Sequence, residues 1–156
     1  MQIAKHIVVV FSIFAVLVAA SRAAAALNRT ETSLLTAMNQ AREAHGLAPL
    51  HVDPRLTKAA RAHSADMLRR GYFAHGHFAA RLHAFGARAR CLGENLAWGS
   101  GSFGSAGHVV QMWLASPDHR ANLLRPGFTR VGLAAPVGAF TGNSDVTVVT
   151  ADFGGR

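Results

Sequence analysis

His75, Glu94 and His119 stand in three short words: Tyr72-Phe73-Ala74-His75, Gly93-Glu94-Asn95-Leu96 and Ser116-Pro117-Asp118-His119-Arg120-Ala121-Asn122-Leu123-Leu124. Each of the three can bind a metal or move a proton. Neutral imidazoles bind Zn²⁺ at roughly 2.0–2.1 Å, and a carboxylate can add a ligand or take a proton from a metal-bound water. Imidazole also changes charge near neutral pH. The three residues are too far apart to meet along one helix, so a tertiary fold must gather them. There is no His-Glu-x-x-His pair and no second cysteine, which argues against a tight structural zinc site. If a fold brings them together, His75 and His119 can build a weak, open site, with Glu94 in the ligand set or just behind it. Two structural roles stay open beside this one. His75 can cap a loop by hydrogen bonding, and Glu94 can accept backbone N–H groups to brace a cleft.

Other groups are weaker candidates. His63 falls on the apolar face of a predicted helix and reads as a core histidine. His77 and His83 follow His75 but lie outside the three words, and Ser64 has no evident triad partners. A Ser-His-acid set can be drawn from Ser116, His119 and Glu94, yet nothing in the spacing selects it. Trp113, Phe73, Tyr72 and Phe153 read as core.

The elements that must position these groups are legible as periodicity. Leu34, Leu35, Met38, Ala41 and His45 recur at helical steps, with Thr30 or Thr32 as cap and Gly46 as stop. Leu47-Ala48-Pro49-Leu50 runs extended. Asp53-Pro54 opens a second helix, Asp as N-cap and Pro in its first turn, with Leu56, Ala59, Ala60, His63 and Met67 on one face and Gly71 as stop. Tyr72 and Phe73 then anchor the loop that holds His75. Phe78 to Phe85 is a short helix ending at Gly86. Leu92 to Trp98 is semi-extended, and Gly99-Ser100-Gly101-Ser102 is a loop. Ser105 to Ala115 is helical, and Ser116 caps a short turn through His119 to Leu124. Val131 to Ala135 and Val146 to Phe153 are strands, with the turn residues Thr141 to Asp145 between them. Helices first and an antiparallel pair last give an α+β domain.

Of the 156 residues, the first 26 read as a leader and 27–156 as one domain with a core of its own. Lys5 and His6 precede an uncharged apolar run from Ile7 to Ala20, then Ser21, Arg22 and Ala23 to Ala26. A positive start, a short apolar stretch and an Ala-x-Ala site describe a secretory signal peptide. The run is shorter than the roughly 20 residues that span a bilayer, so no stable span is expected after cleavage. The formal net charge is +8, and two of those charges, Lys5 and Arg22, fall in the leader, leaving +6 on the domain. Arginines from Arg42 to Arg130 carry most of the excess and are scattered. That favours an anionic surface or wall polymer electrostatically. It lacks the dense basic run and aromatic interleaving of a nucleic-acid binder. Cys91, the one cysteine, cannot form an internal disulfide and reads as buried and inert. The domain is expected to be a monomer.

The three words in this order, with Trp113 just before the third, resemble the CAP superfamily: cysteine-rich secretory proteins, antigen 5 and pathogenesis-related 1 proteins, also called the SCP domain, in its small bacterial form. The resemblance runs from Thr32 to Phe153. It implies a three-layer α-β-α sandwich with a cleft lined by two histidines, here His75 and His119, and by acidic residues, the first of them Glu94. The second acid usually lies about three positions after the matched Trp. Here that position is Ser116, so the second Glu is missing, and Asp118 matches no motif. The implied functions are a secreted or periplasmic binding module for a small amphiphilic or lipid ligand, with zinc as a candidate cofactor; a metal-assisted hydrolase of peptide or cell-wall material; or an extracellular structural protein with a vestigial cleft. The missing acid weighs against catalysis.

Overall fold

The computed structural model describes residues 26–156. The leader expected over residues 1–26 thus lies outside the described residues, Ala26 excepted. The first helix, α1, spans Arg29–Glu43. Its start is Asn28 and not Thr30 or Thr32. The Glu31 amide donates to the Asn28 side chain and the Asn28 amide to the Glu31 carboxylate, each at 2.9 Å. This reciprocal pair satisfies amides that a helix start leaves without partners. A two-residue strand, β1 (His51–Val52), leads into α2 (Pro54–Arg70). Asp53 caps α2 and Gly71 ends it in the left-handed region at φ 66°, as read. Next come α3 (Phe78–Ala84) and β2 (Cys91–Ser100), where the segment read as semi-extended is a full strand. A 3-10 turn (Gly101–Gly104), α4 (Ala106–Ala115) and α5 (Pro117–Leu123) follow.

Three strands close the chain: β3 (Phe128–Ala134), β4 (Val137–Phe140) and β5 (Asn143–Gly155). The turn at Thr141-Gly142 joins β4 to β5, not β3 to β5. β4 escapes a sequence reading because Val137 and Ala139 are exposed and Gly138 lies between them, so it shows no apolar alternation. The sheet order is β1-β3-β5-β2, with β4 also on β5. β1 joins β3 in parallel and the other pairs are antiparallel. β2 pairs with β5 from Cys91↔Gly155 to Ser100↔Val146, while β3 and β4 divide the other side of β5. β2 is therefore an edge strand.

Alternation along β5 feeds two cores. Val149, Ala151 and Phe153 pack with Leu34 and Met38 of α1, Val109 and Trp113 of α4, and Leu123 of α5. Val146 and Val148 pack on the other face with Met67 of α2 and Leu96. Leu56 and Ala59 of α2 meet Leu82 of α3 there as well. The result is the expected α-β-α sandwich. α2 rests directly on β3 at Gly132, where a Cβ would stand 1.9 Å from the Leu56 carbonyl carbon.

Two expectations about single residues change. Arg42, counted with the surface cations, is buried. Its guanidinium donates to the carbonyls of Ala48 (2.8 Å), Leu123 (2.8 Å), Arg125 (3.1 Å) and Phe128 (3.0 Å). Two of these lie at the C-terminal end of α5, where helix carbonyls lack partners and favour a cation. Cys91 is only half-buried, and its thiol donates to the Arg156 carbonyl at 3.3 Å. Among the described residues no helix is long and apolar enough to cross a membrane.

Candidate functional site

The matched words converge on the edge strand β2. In Gly93-Glu94-Asn95 successive side chains point to opposite faces of the sheet. Glu94 pairs with Asp152 on the α2–α3 side, while Asn95 pairs with Ala151 on the α1–α4–α5 side. Asn95 donates to the His119 carbonyl at 2.9 Å. Asn122 donates to Asn95 Oδ1 at 3.0 Å and to the Glu94 carbonyl at 3.2 Å. The third word is thereby tied to the second. Gly93 permits this approach: a Cβ there would stand 2.7 Å from Phe128 Cζ and 3.1 Å from Asn122 Oδ1.

On the other face the buried Glu94 carboxylate gathers three side chains. His75 Nδ1–H donates to Oε1 at 2.8 Å. Arg81 donates to Oε2 through Nη2 and to the His75 carbonyl through Nη1 at 3.2 Å. His63 Nε2 lies 3.9 Å from Oε2 and donates to the Ala74 carbonyl at 3.0 Å. His63 is thus a core histidine, as read, but it also holds the stretch of loop that carries His75. Burial, first, and the Arg81 charge, second, lower its pKa.

His119 sits across the edge of β2. Its Nδ1 shares a hydrogen bond of 2.9 Å with Ser116 Oγ, so Ser116 starts α5 without capping it through its side chain. Burial, first, and the nearby charge of His75, second, lower the His119 pKa. His75 thus lies near enough to His119 to act on it electrostatically. Beside His119 lies a recess of about 300 Å³ lined by Phe73, Leu96, Trp98, Met112, Trp113 and Ser116, with Ala97 and His119. Trp113 is core, as expected, and its indole N–H donates to the Leu96 carbonyl at 3.0 Å. Phe73 is not core: it is 40% exposed and Trp98 is 41% exposed, and both form the rim. Two larger hollows lie elsewhere. One of about 500 Å³ along α1 is lined by Leu35, Asn39 and Leu47 and touches none of the matched residues. Another of about 720 Å³ lies between α2 and α3, behind His63 and Arg81.

Asp152 is the group that sequence reasoning missed. It stands opposite Glu94 in the β2–β5 register, and neither of its carboxyl oxygens has a hydrogen-bond donor. Arg81 Nη2 is 4.0 Å away, near enough to attract but beyond a hydrogen bond. Burial, first, and the Glu94 charge, second, raise the Asp152 pKa well above the ordinary carboxylate value, with Arg81 opposing. A second buried carboxyl thus stands beside Glu94, contributed by β5. A carboxylate inside the run Val148 to Phe153, apolar on both sides, was its one signal. Arg81 had none.

Among the matched side chains, only ring nitrogens are still open to a divalent metal. Both Glu94 oxygens are engaged by cationic or N–H donors. His75 and His119 each keep one ring nitrogen, Nε2, without a bonded partner among the described residues, and two imidazoles fall short of the three protein ligands of a catalytic zinc site. Among the described residues no three His, Cys, Asp or Glu side chains are grouped to hold a metal ion.

An α-β-α sandwich with a His–Glu–His cleft at a sheet edge defines a class, and comparison with known proteins agrees. The profile of the Cysteine-rich secretory protein family, CAP, matches residues 35–153. The chain belongs to this family. It is 36% identical to YkwD of Bacillus subtilis over 108 residues, 66% of this chain and 41% of that protein. An extracellular Bacillus anthracis protein containing an SCP domain superposes with a TM-score of 0.67 at 28% identity, covering 81% of this chain and 40% of that one. An outer surface protein from Borrelia burgdorferi superposes with a TM-score of 0.65 at 26% identity, covering 79% of this chain and 90% of that one. The chain thus spans less than half the length of YkwD and of the Bacillus anthracis protein.

Proposed function

We propose that the protein is an exported CAP-domain binding module that takes the apolar end of a small amphiphile or lipid into the recess beside His119. The recess itself carries this reading. It is walled by Phe73, Leu96, Trp98, Met112 and Trp113, opens between two half-exposed aromatics, and ends at Ser116 and His119. Its size falls at the small end of ligand pockets, roughly 300–1,000 Å³, and suits an acyl terminus or one ring better than a whole lipid. The polar part of the ligand would meet the His119 and His75 edge. Export is supported by the leader-like first residues and by the extracellular and outer-surface relatives. The hydrolase alternative has less behind it: Ser116 and His119 are bonded to each other, but no carboxylate among the described residues contacts His119 to orient it.

The test is equilibrium binding of labelled fatty acids, sterols and phospholipids to the purified protein. Saturable binding to one class is expected, weakened about tenfold or more by Trp98→Ala, since truncating a rim aromatic that the ligand covers costs on the order of 2 kcal/mol. Absence of saturable binding across all three classes would remove the reading.

A further inference from the structure

We propose that the end of the sheet away from the recess is a docking surface for a linear phosphate-bearing polymer, held by Arg55, Arg88, Arg90, Arg125 and Arg130. These arginines are scattered along the sequence, and the fold gathers them. Arg90 stands just before β2, and its amide donates at 3.1 Å to the carbonyl of Gly155, the last residue of β5. The Arg125 guanidinium lies 5.2 Å from the centre of the Phe128 ring, and Phe128 is the β3 partner of Gly155. Arg130 donates to the Arg88 carbonyl and to Asp53, each at 3.1 Å. The Arg55 amide bonds Asp53 just after β1, and a Cβ on Gly86 would stand 3.7 Å from Arg55 Cδ. The five therefore cross one end of the four strands β1-β3-β5-β2, a width of about 14 Å at roughly 4.8 Å per strand spacing. Arg55, Arg88, Arg90 and Arg125 are exposed. Among the described residues only Arg130 of the five has a carboxylate partner, Asp53. The next acids along β2 and β5, Glu94 and Asp152, are buried.

Guanidinium groups pair with phosphate oxygens in a two-pronged geometry, and a row of them suits a chain of phosphates better than a single anion. A bilayer fits this end less well. Of the exposed large apolar side chains, Phe73, Trp98, Phe103 and Val137 cluster near the other end of β2 and β5, and only Phe85 lies on this side. Phe85 alone also gives bases little to stack on, which weighs against a nucleic acid. Trp98 lies eight residues along β2 from Arg90, roughly 26 Å at about 3.3 Å per residue. A polymer held here leaves the recess open, and the inference stands apart from whether an amphiphile binds.

Anisotropy of end-labelled inorganic polyphosphate, titrated with the purified protein at several salt concentrations, tests it. The parent should bind, and its affinity should fall about tenfold or more between about 50 and about 200 mM salt, as expected when several phosphates are neutralised. The triple variant Arg55→Gln/Arg88→Gln/Arg90→Gln removes three exposed side chains that make no hydrogen bond among the described residues. It should bind about tenfold or more weaker, with a shallower salt dependence. Lysine at the same three positions keeps the charge and should bind within about threefold of the parent. Arg69→Gln/Arg70→Gln removes two exposed cations that pair with Asp66 elsewhere and should also stay within about threefold. Absence of salt-sensitive binding by the parent would overturn the inference. So would an equal loss in the Arg69/Arg70 variant, which would make the effect one of net charge, or a lysine triple as weak as the glutamine one. Tighter binding to phosphatidylglycerol vesicles or to oligothymidylate than to polyphosphate would replace the polymer with a bilayer or a nucleic acid and overturn it too.

Discussion

Asp152 shows how one residue sets the electrostatics of the cleft. Its carboxyl is buried against Glu94 with no donor, so in the folded protein it holds its proton to higher pH than in the unfolded chain. The sign follows from linkage. Below the ordinary Asp value both states are protonated and the residue costs nothing; as pH rises toward the raised folded value, the unfolded state releases its proton first and stability falls. Asp152→Asn should therefore be neutral near pH 3.5 and stabilising at pH 7.5 by about 1 kcal/mol or more, the scale of a single pKa unit. Urea midpoints at the two pH values check this, and a pH-independent difference would contradict it. Gly93 acts at the same scale through volume. Gly93→Ala drives a methyl into Phe128 and Asn122 and should cost roughly 1–3 kcal/mol, as overpacking does, with loss of the Asn122 bonds to Asn95 and Glu94 visible in side-chain amide spectra.

At the scale of elements, α5 is the piece that brings His119 to the cleft, and it has only seven residues, too short to be stable alone. Arg42 of α1 holds its C-terminal end through the carbonyls of Leu123 and Arg125, and Arg120 donates to His45 Nε2 at 3.1 Å. Arg42→Met leaves buried carbonyls without donors, a loss of about 2–4 kcal/mol when several go together. Amides of α5 should lose hydrogen-exchange protection more than those of α2; equal loss in both would mean that Arg42 supports the fold in general and not α5. Most of this level was legible in sequence. Asp53-Pro54, Gly71, Gly86 and Ser105 marked helix ends by local chemistry that the structure keeps. Asn28 went unread because its capping partner Glu31 falls between Thr30 and Thr32, two residues that are themselves good caps. β4 went unread because its exposed, Gly-containing stretch carries no pattern.

At the scale of the whole molecule, the cleft draws on both helical layers, with β2 between them. His75, Glu94 and His119 were legible because each sits in a contiguous word. Arg81 and Asp152 were not, because strand register and the placement of α3 choose them as partners, and neither is a local property. Arg42 was misread for the same reason: carbonyls from distant segments of the chain bury it. The fold also predicts an acid limit. The pKa values of His63 and His119 are lowered by burial, so the stability they contribute is present above the ordinary His value of about 6.5 and is lost as pH falls through it toward the folded values. Between pH 7 and pH 5 the histidine contribution should decline, against the opposite trend of Asp152, and His63→Gln, which can keep the bond to Ala74, should remove part of that decline in chemical denaturation; an unchanged pH dependence would assign it elsewhere.

The claim that the recess beside His119 is the binding site is tested most directly by mapping backbone amide shifts as a medium-chain fatty acid is added to the isotope-labelled protein. The reading predicts saturable shifts concentrated at Phe73, Leu96 to Trp98, Met112 and Ser116 to His119, with α1 from Leu35 to Glu43 unmoved. Shifts centred on the α1 groove, or on the hollow between α2 and α3 with Trp98 and His119 silent, would contradict it.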